Sequence, residues 1–197
     1  MNNSLLQFKE RVKEIKDLTS TIDQIDGMTT GALDIADLYR SQIVFIISSL
    51  DHFIHVFVIE EMLETYNGRR PASNAFNRFP IPLSSIQGTI PSDNVVSSHI
   101  RQKHSWLSFQ DPDKIADAIR LISDLKLWEE VAPAFGLGVG DLKSKLKLVV
   151  DRRNKIAHEA DLDPTNPGEK WPISSTDVRE IIDFIYKIVT EIYNRIK

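Results

Sequence analysis

Residues 42–60, QIVFIISSLDHFIHVFVIE, set the first constraint on what this chain can become. The apolar part, Ile43 to Ile59, is about 17 residues, at the lower limit for spanning a bilayer. Asp51, His52 and His55 lie at its centre, where hydrocarbon would strip them of water. The stretch therefore reads as a helix buried on most faces, the central element of a soluble bundle with no membrane partner. The N-terminus, MNNSLLQFKERVKEIK, interleaves apolar residues with charge and carries no signal peptide. The expected compartment is the cytoplasm.

Helical periodicity surrounds that core segment. Leu5, Phe8, Val12, Ile15, Leu18, Ile22 and Ile25 recur at three- and four-residue steps and predict a first helix ending at Gly27 and Thr29–Gly31. The second helix is expected from Leu33 to Tyr66, with Asn67-Gly68 as its stop. Pro71, Pro80, Pro82, Gly88 and Pro91 make residues 68–92 an irregular excursion with one or two short turns. Helices are expected again at about 93–109, 113–124 and 127–134, with Asp111 as a cap and Pro112 in the first turn. Gly136-Leu-Gly-Val-Gly140 is read as a helix–helix turn, because no strand precedes it as a phosphate loop requires. Asp141 can cap a helix to Glu159, and 161–173 is a second Pro-rich excursion. Ser174 or Ser175 caps a last helix carrying Val178, Ile181 or Ile182, Ile185, Ile188 or Val189, and Ile192 on one stripe. No segment alternates with the period of a strand. The expected fold is all-α: one domain over residues 1–197, a bundle of four to five main helices with short extra helices.

Composition narrows the chemistry. The chain has 197 residues and no cysteine, which excludes disulfides, thiol catalysis and Cys-ligated metals. His52-x2-His55 and His99-x4-His104 lack a spaced third ligand, so neither a metal site nor a cofactor is expected. The formal charge of −4 disfavours a globally basic nucleic-acid binder. The charge is uneven, however. From Asp141 to His158, six cations (Lys143, Lys145, Lys147, Arg152, Arg153, Lys155) oppose Asp141 and Asp151, a net +4 that leaves −8 elsewhere.

That segment, DLKSKLKLVVDRRNKIAHEAD, holds the candidate site. At about 100° per residue, Leu142, Leu146, Val149, Ile156 and Ala157 fall within about 60° of one line, and Arg153 lies at its centre. A guanidinium on a core line is expensive unless it is paired or opens on a cleft. Asn154 and His158 are four apart and share a face, so the amide can orient the imidazole.

Arg153-Asn154-Lys155-Ile156-Ala157-His158 resembles the Arg–polar–x(3–5)–His signature of the HEPN superfamily, small helical domains that include many RNases. The surrounding text, RRNKIAHEAD, a Pro-rich loop, WPIS and a final amphipathic helix, is similar to the RiboL-PSP-HEPN branch. So are Ser49-Leu-Asp-His-Phe-Ile-His55 and the Arg70–Leu83 segment, so the likeness runs from about residue 35 to the end. The resemblance implies metal-independent cleavage of RNA in a homodimer whose Arg/His pairs share a cleft. It implies a place in phage defence or toxin–antitoxin function, with an antitoxin or operon-neighbour protein as a further partner. On that reading His158 is the general acid/base, Arg153 the transition-state stabiliser and Asn154 the orienting residue. Asp51 and His55 stand behind them, and Lys143, Lys147, Arg152 and Lys155 guide the RNA backbone.

Plainer readings stand beside these. Arg153 can be a buried ion pair with Asp51, and His158 an ordinary histidine favoured by the helix dipole. Asp51 and His55 can be satisfied core polar groups, and the lysines a solvated face. The whole chain can be a non-catalytic module that binds RNA, a nucleotide or a protein, or a dimerising accessory domain.

Overall fold

A computed structural model of the chain describes residues 3–29, 33–86 and 90–197. Among these residues are seven α-helices and no strand: α1 (Asn3–Thr29), α2 (Ala36–Tyr66), α3 (Asp93–His104), α4 (Pro112–Arg120), α5 (Leu127–Val131), α6 (Val139–Glu159) and α7 (Ser175–Ile196). Short 3-10 turns occupy Phe76–Arg78, Leu83–Ile86 and Ala132–Phe135. The all-α expectation holds. The expected breaks at Thr30–Gly31 and Gly88 lie outside the described residues.

The apolar run forms the centre of the bundle. Ile46, Ile47, Leu50, Phe53, Ile54, Phe57 and Val58 of α2 are at most 1% exposed. By length and composition alone α2 could cross a membrane; here it is the core helix, wrapped by α1, α7, α3, α6 and α4. One continuous cluster of buried side chains joins all seven helices. Such burial stabilises by roughly 25 cal/mol per Å² of apolar surface removed from water. It is this term that brings residues far apart in sequence to one place.

Helix ends follow local chemistry. Ser174 caps α7 in a reciprocal box with Asp177, and the Asp111 side chain accepts from the Asp113 and Lys114 N–H groups at the start of α4. Gly68, at φ +71°, follows α2 in the left-handed region. Other boundaries move, for tertiary reasons. α3 ends at His104 rather than near 109, because the Phe109 N–H is drawn to the Asp51 carboxylate of α2, at 2.5 Å. α4 ends at Arg120 rather than 124, where carbonyls of the following turn are taken by the first excursion: Ser73 Oγ donates to Arg120 and Arg70 Nε to Ile122. α6 starts at Val139 with Gly138 as its extended cap, which leaves Asp141 in the first turn, where an acid suits the helix dipole. The α1 stripe runs through Thr19, not Leu18. The threonine hydroxyl is satisfied by the Ile15 carbonyl at 2.8 Å, while Leu18 and Ile25 remain exposed.

Candidate functional site

α6 carries Arg153, Asn154 and His158 on its last two turns. Its buried residues are Leu142, Leu146, Val149 and Val150. Beyond Val150 the helix is less deeply buried: Ile156 is half-buried and packs against the edge of the core, and Ala157 and His158 are exposed. The line drawn through Ala157 is therefore core only in its first three turns. Arg153 is half-buried, with its Nε enclosed and without a hydrogen-bond partner among the described residues. Its Nη1 donates to Asn154 Oδ1 at 3.0 Å. The Asn154 amide thus lies on the arginine, its sequence neighbour, rather than on the histidine.

Arg153 and Asp51 form no ion pair among the described residues. The Asp51 carboxylate is engaged elsewhere: it takes the Phe109 N–H, with His55 Nε2 at 3.8 Å. His55 belongs to a ring cluster, 4.5 Å from Phe109 and 6.3 Å from His104 between centroids. His104 is buried, and burial together with the neighbouring His55 pushes its pKa down to about 4. Asp51 and His55 thus contact His104 and Phe109, and neither makes a hydrogen bond or ion pair with Arg153 among the described residues.

The basic residues of α6 are engaged within the chain. Lys143 pairs with Asp113 of α4, and Lys147 lies 3.5 Å from Asp113 and 3.9 Å from Asp111. Lys143 also pulls the Asp113 carboxyl below its usual range, chiefly through its hydrogen bond. Lys155 Nζ stands over the Trp171 ring at 5.9 Å, and Lys145 over Phe184 at 4.8 Å. Arg152 is the most constrained. Its Nη2 donates to Asp161 Oδ2 at 2.8 Å and to the carbonyls of Trp171 and Pro172, at 3.3 and 3.2 Å. An arginine committed this way is anchored; the lysines, at the surface, can exchange an aspartate for a phosphate.

Sequence reasoning missed the other half of the Arg152 network. Arg40, 5% exposed, donates from Nε to Asp161 Oδ2 at 2.7 Å and from Nη2 to the Trp171 carbonyl at 2.6 Å. Asp37 reaches Arg40 Nη1 at 3.1 Å and Lys170 Nζ at 2.7 Å. Two signals were available. Arg40, Ile43, Ile47, Leu50 and Ile54 lie on one face of α2, which puts a cation on a buried line. Asp161 is an acid just past a helix C-terminus, where the dipole disfavours it.

No group of three or more His, Asp or Glu side chains able to hold a metal ion occurs among the described residues. Surface hollows of about 540 Å³ between α1 and α2, and about 500 Å³ beside Trp128, are lined by neither Arg153 nor His158. The arrangement at the end of α6 offers one exposed imidazole and one half-buried guanidinium on a single helix. Chemically, that is a proton acceptor or donor beside a phosphate-matched fork.

No curated protein and no solved structure matches the chain. The RiboL-PSP-HEPN family profile matches residues 6–197, nearly the whole sequence. The matched span covers all seven helices nearly end to end. The chain belongs to the RiboL-PSP-HEPN family of the HEPN superfamily.

Proposed function

We propose that this chain is a metal-independent endoribonuclease. The coarse statement, an RNase or RNA-binding module, comes with the family. The finer one rests on a single observation: Arg153, Asn154 and His158 share the last two turns of α6, with His158 exposed and Arg153 braced by Asn154. His158 takes the proton of the RNA 2′-hydroxyl, and O2′ attacks the adjacent phosphorus. Arg153 stabilises the extra negative charge on the phosphorane. The P–O5′ bond breaks, O5′ receives a proton, and the products carry a 2′,3′-cyclic phosphate and a 5′-hydroxyl. The need for a 2′-hydroxyl restricts the substrate to RNA.

Attack and departure occur on opposite sides of phosphorus, so one imidazole on one helix serves only one of them. A homodimer supplies a second Arg/His pair across a two-fold axis and completes the acid/base set. Lys143, Lys147 and Lys155 then hold flanking phosphates. A role in phage defence or as a toxin held by a cognate inhibitor follows from the resemblance, and a cytoplasmic location from the N-terminal sequence; both are part of the same proposal.

The test is product analysis of RNA incubated with the purified chain in EDTA. The endoribonuclease reading expects fragments ending in 2′,3′-cyclic phosphate. RNA that is bound and recovered intact would replace it with the non-catalytic binding module.

A further inference from the structure

Ala160 and Asp161 stand consecutively in the left-handed region, at φ +53° and +57°. Residues with a Cβ rarely enter that region, and helices usually end there on one glycine. Both N–H groups donate to the Lys155 carbonyl, which closes α6. Backbone hydrogen bonds alone do not explain why two side-chain-bearing residues accept this conformation.

The Asp161 side chain does. It is 0% exposed, and its Oδ2 is shared by Arg40 Nε at 2.7 Å and Arg152 Nη2 at 2.8 Å. The Asp161 carbonyl accepts from the Trp171 N–H at 2.9 Å, and the Trp171 carbonyl accepts from both arginines. One carboxylate therefore joins the start of α2, the penultimate turns of α6 and the 161–171 loop. Burial and the helix dipole both oppose a carboxylate here. Two guanidiniums offset them, and their planar forks leave little rotational freedom. Arg152 and Asp161 also bracket Arg153 to His158 in sequence, so the whole motif lies between the two arms of one ion pair.

We propose that Asp161, clasped by Arg40 and Arg152, is a positioning residue for the Arg153/His158 pair. It fixes the end of α6 so that imidazole and guanidinium keep one relative placement. The proposal rests on the endoribonuclease reading above, and it gives Arg152 an anchoring role in place of RNA contact. Misplacing a reacting group by about 1 Å costs on the order of 100-fold in rate.

The test is Asp161→Asn in the full chain, which keeps the shape and removes the charge. Two readouts are taken: RNA cleavage kinetics in EDTA, and the His158 imidazole resonance by NMR without RNA. The expected result is a folded protein with kcat down on the order of 100-fold, KM within about threefold, and a shifted or broadened His158 resonance. A folded variant with the parent's kcat overturns the proposal. So does a lowered kcat with an unchanged His158 resonance, because Asp161 then acts elsewhere. If Asp161→Asn does not fold, Arg152→Met, which leaves the Arg40–Asp161 pair in place, is measured by the same two readouts, and the same outcomes support or overturn the proposal. If the parent cleaves no RNA, the endoribonuclease reading falls, and the His158 resonance alone decides the clamp.

Discussion

The two ends of α6 carry similar charge and use it in opposite ways. At the N-terminal end, Lys143 and Lys147 lean on Asp113 and Asp111 at the surface of α4, each group in contact with water. At the C-terminal end, Arg152 and Arg40 converge on a carboxylate that water does not reach. Exposed pairs are worth about 0–1 kcal/mol, are screened by salt and exchange partners readily. A buried carboxylate held by two guanidiniums cannot exchange; removing one partner leaves it dependent on the other alone. The same helix therefore carries replaceable surface ion pairs at one end and a fixed, buried ion pair at the other.

The largest effect expected from this contrast is on stability. Arg40→Met should cost about 2–3 kcal/mol, measured by urea unfolding, because Asp161 and the Trp171 carbonyl each lose a charged donor while Arg152 stays paired. A loss below about 1 kcal/mol would erase the distinction between the ends.

Histidines divide in the same manner, exposed His158 against buried His104. In the folded state the pKa of His104 is pushed down to about 4, by burial first and by His55 second, against an ordinary value of 6.5. Between those values the unfolded chain binds a proton that the folded chain refuses. The His104 contribution to stability is therefore constant above about pH 6.5 and falls as the pH drops toward 4, by about 3 kcal/mol in all. Urea midpoints across that window should show the slope, and His104→Leu should remove this contribution. An unchanged slope in the variant would assign it to the carboxylates instead.

Smallest is the effect of the surface lysines on folding. Lys143→Ala and Lys147→Ala should each change stability by less than about 1 kcal/mol. Together they should weaken RNA binding and flatten its salt dependence, read as the slope of affinity against salt. RNA affinity and slope equal to the parent's would leave these lysines as a solvated face.

Much of the frame was legible in the sequence itself. The Ser174 box, the Asp111 cap and the apolar run of α2 are local signals, and local signals survive in one dimension. The site was legible in part, as a motif rather than as an arrangement. The Arg40–Asp161 bond joins residues 121 apart, and nothing in either neighbourhood names the other. Asp51 misled because it spends its carboxylate on the Phe109 backbone N–H, and a backbone partner leaves no trace in residue identity. Ala157 misled because periodicity gives a direction around the helix but not the point along it where the core ends.

The most direct test places the two ends of α6 side by side. Single-turnover cleavage of one RNA in EDTA is measured for the parent, for the Lys143→Ala/Lys147→Ala double variant and for His158→Ala. The lysine variant should cleave at nearly the parent's rate once RNA is saturating. His158→Ala, folded, should lose at least about 100-fold. Cleavage by His158→Ala at the parent's rate would contradict the division of labour along α6.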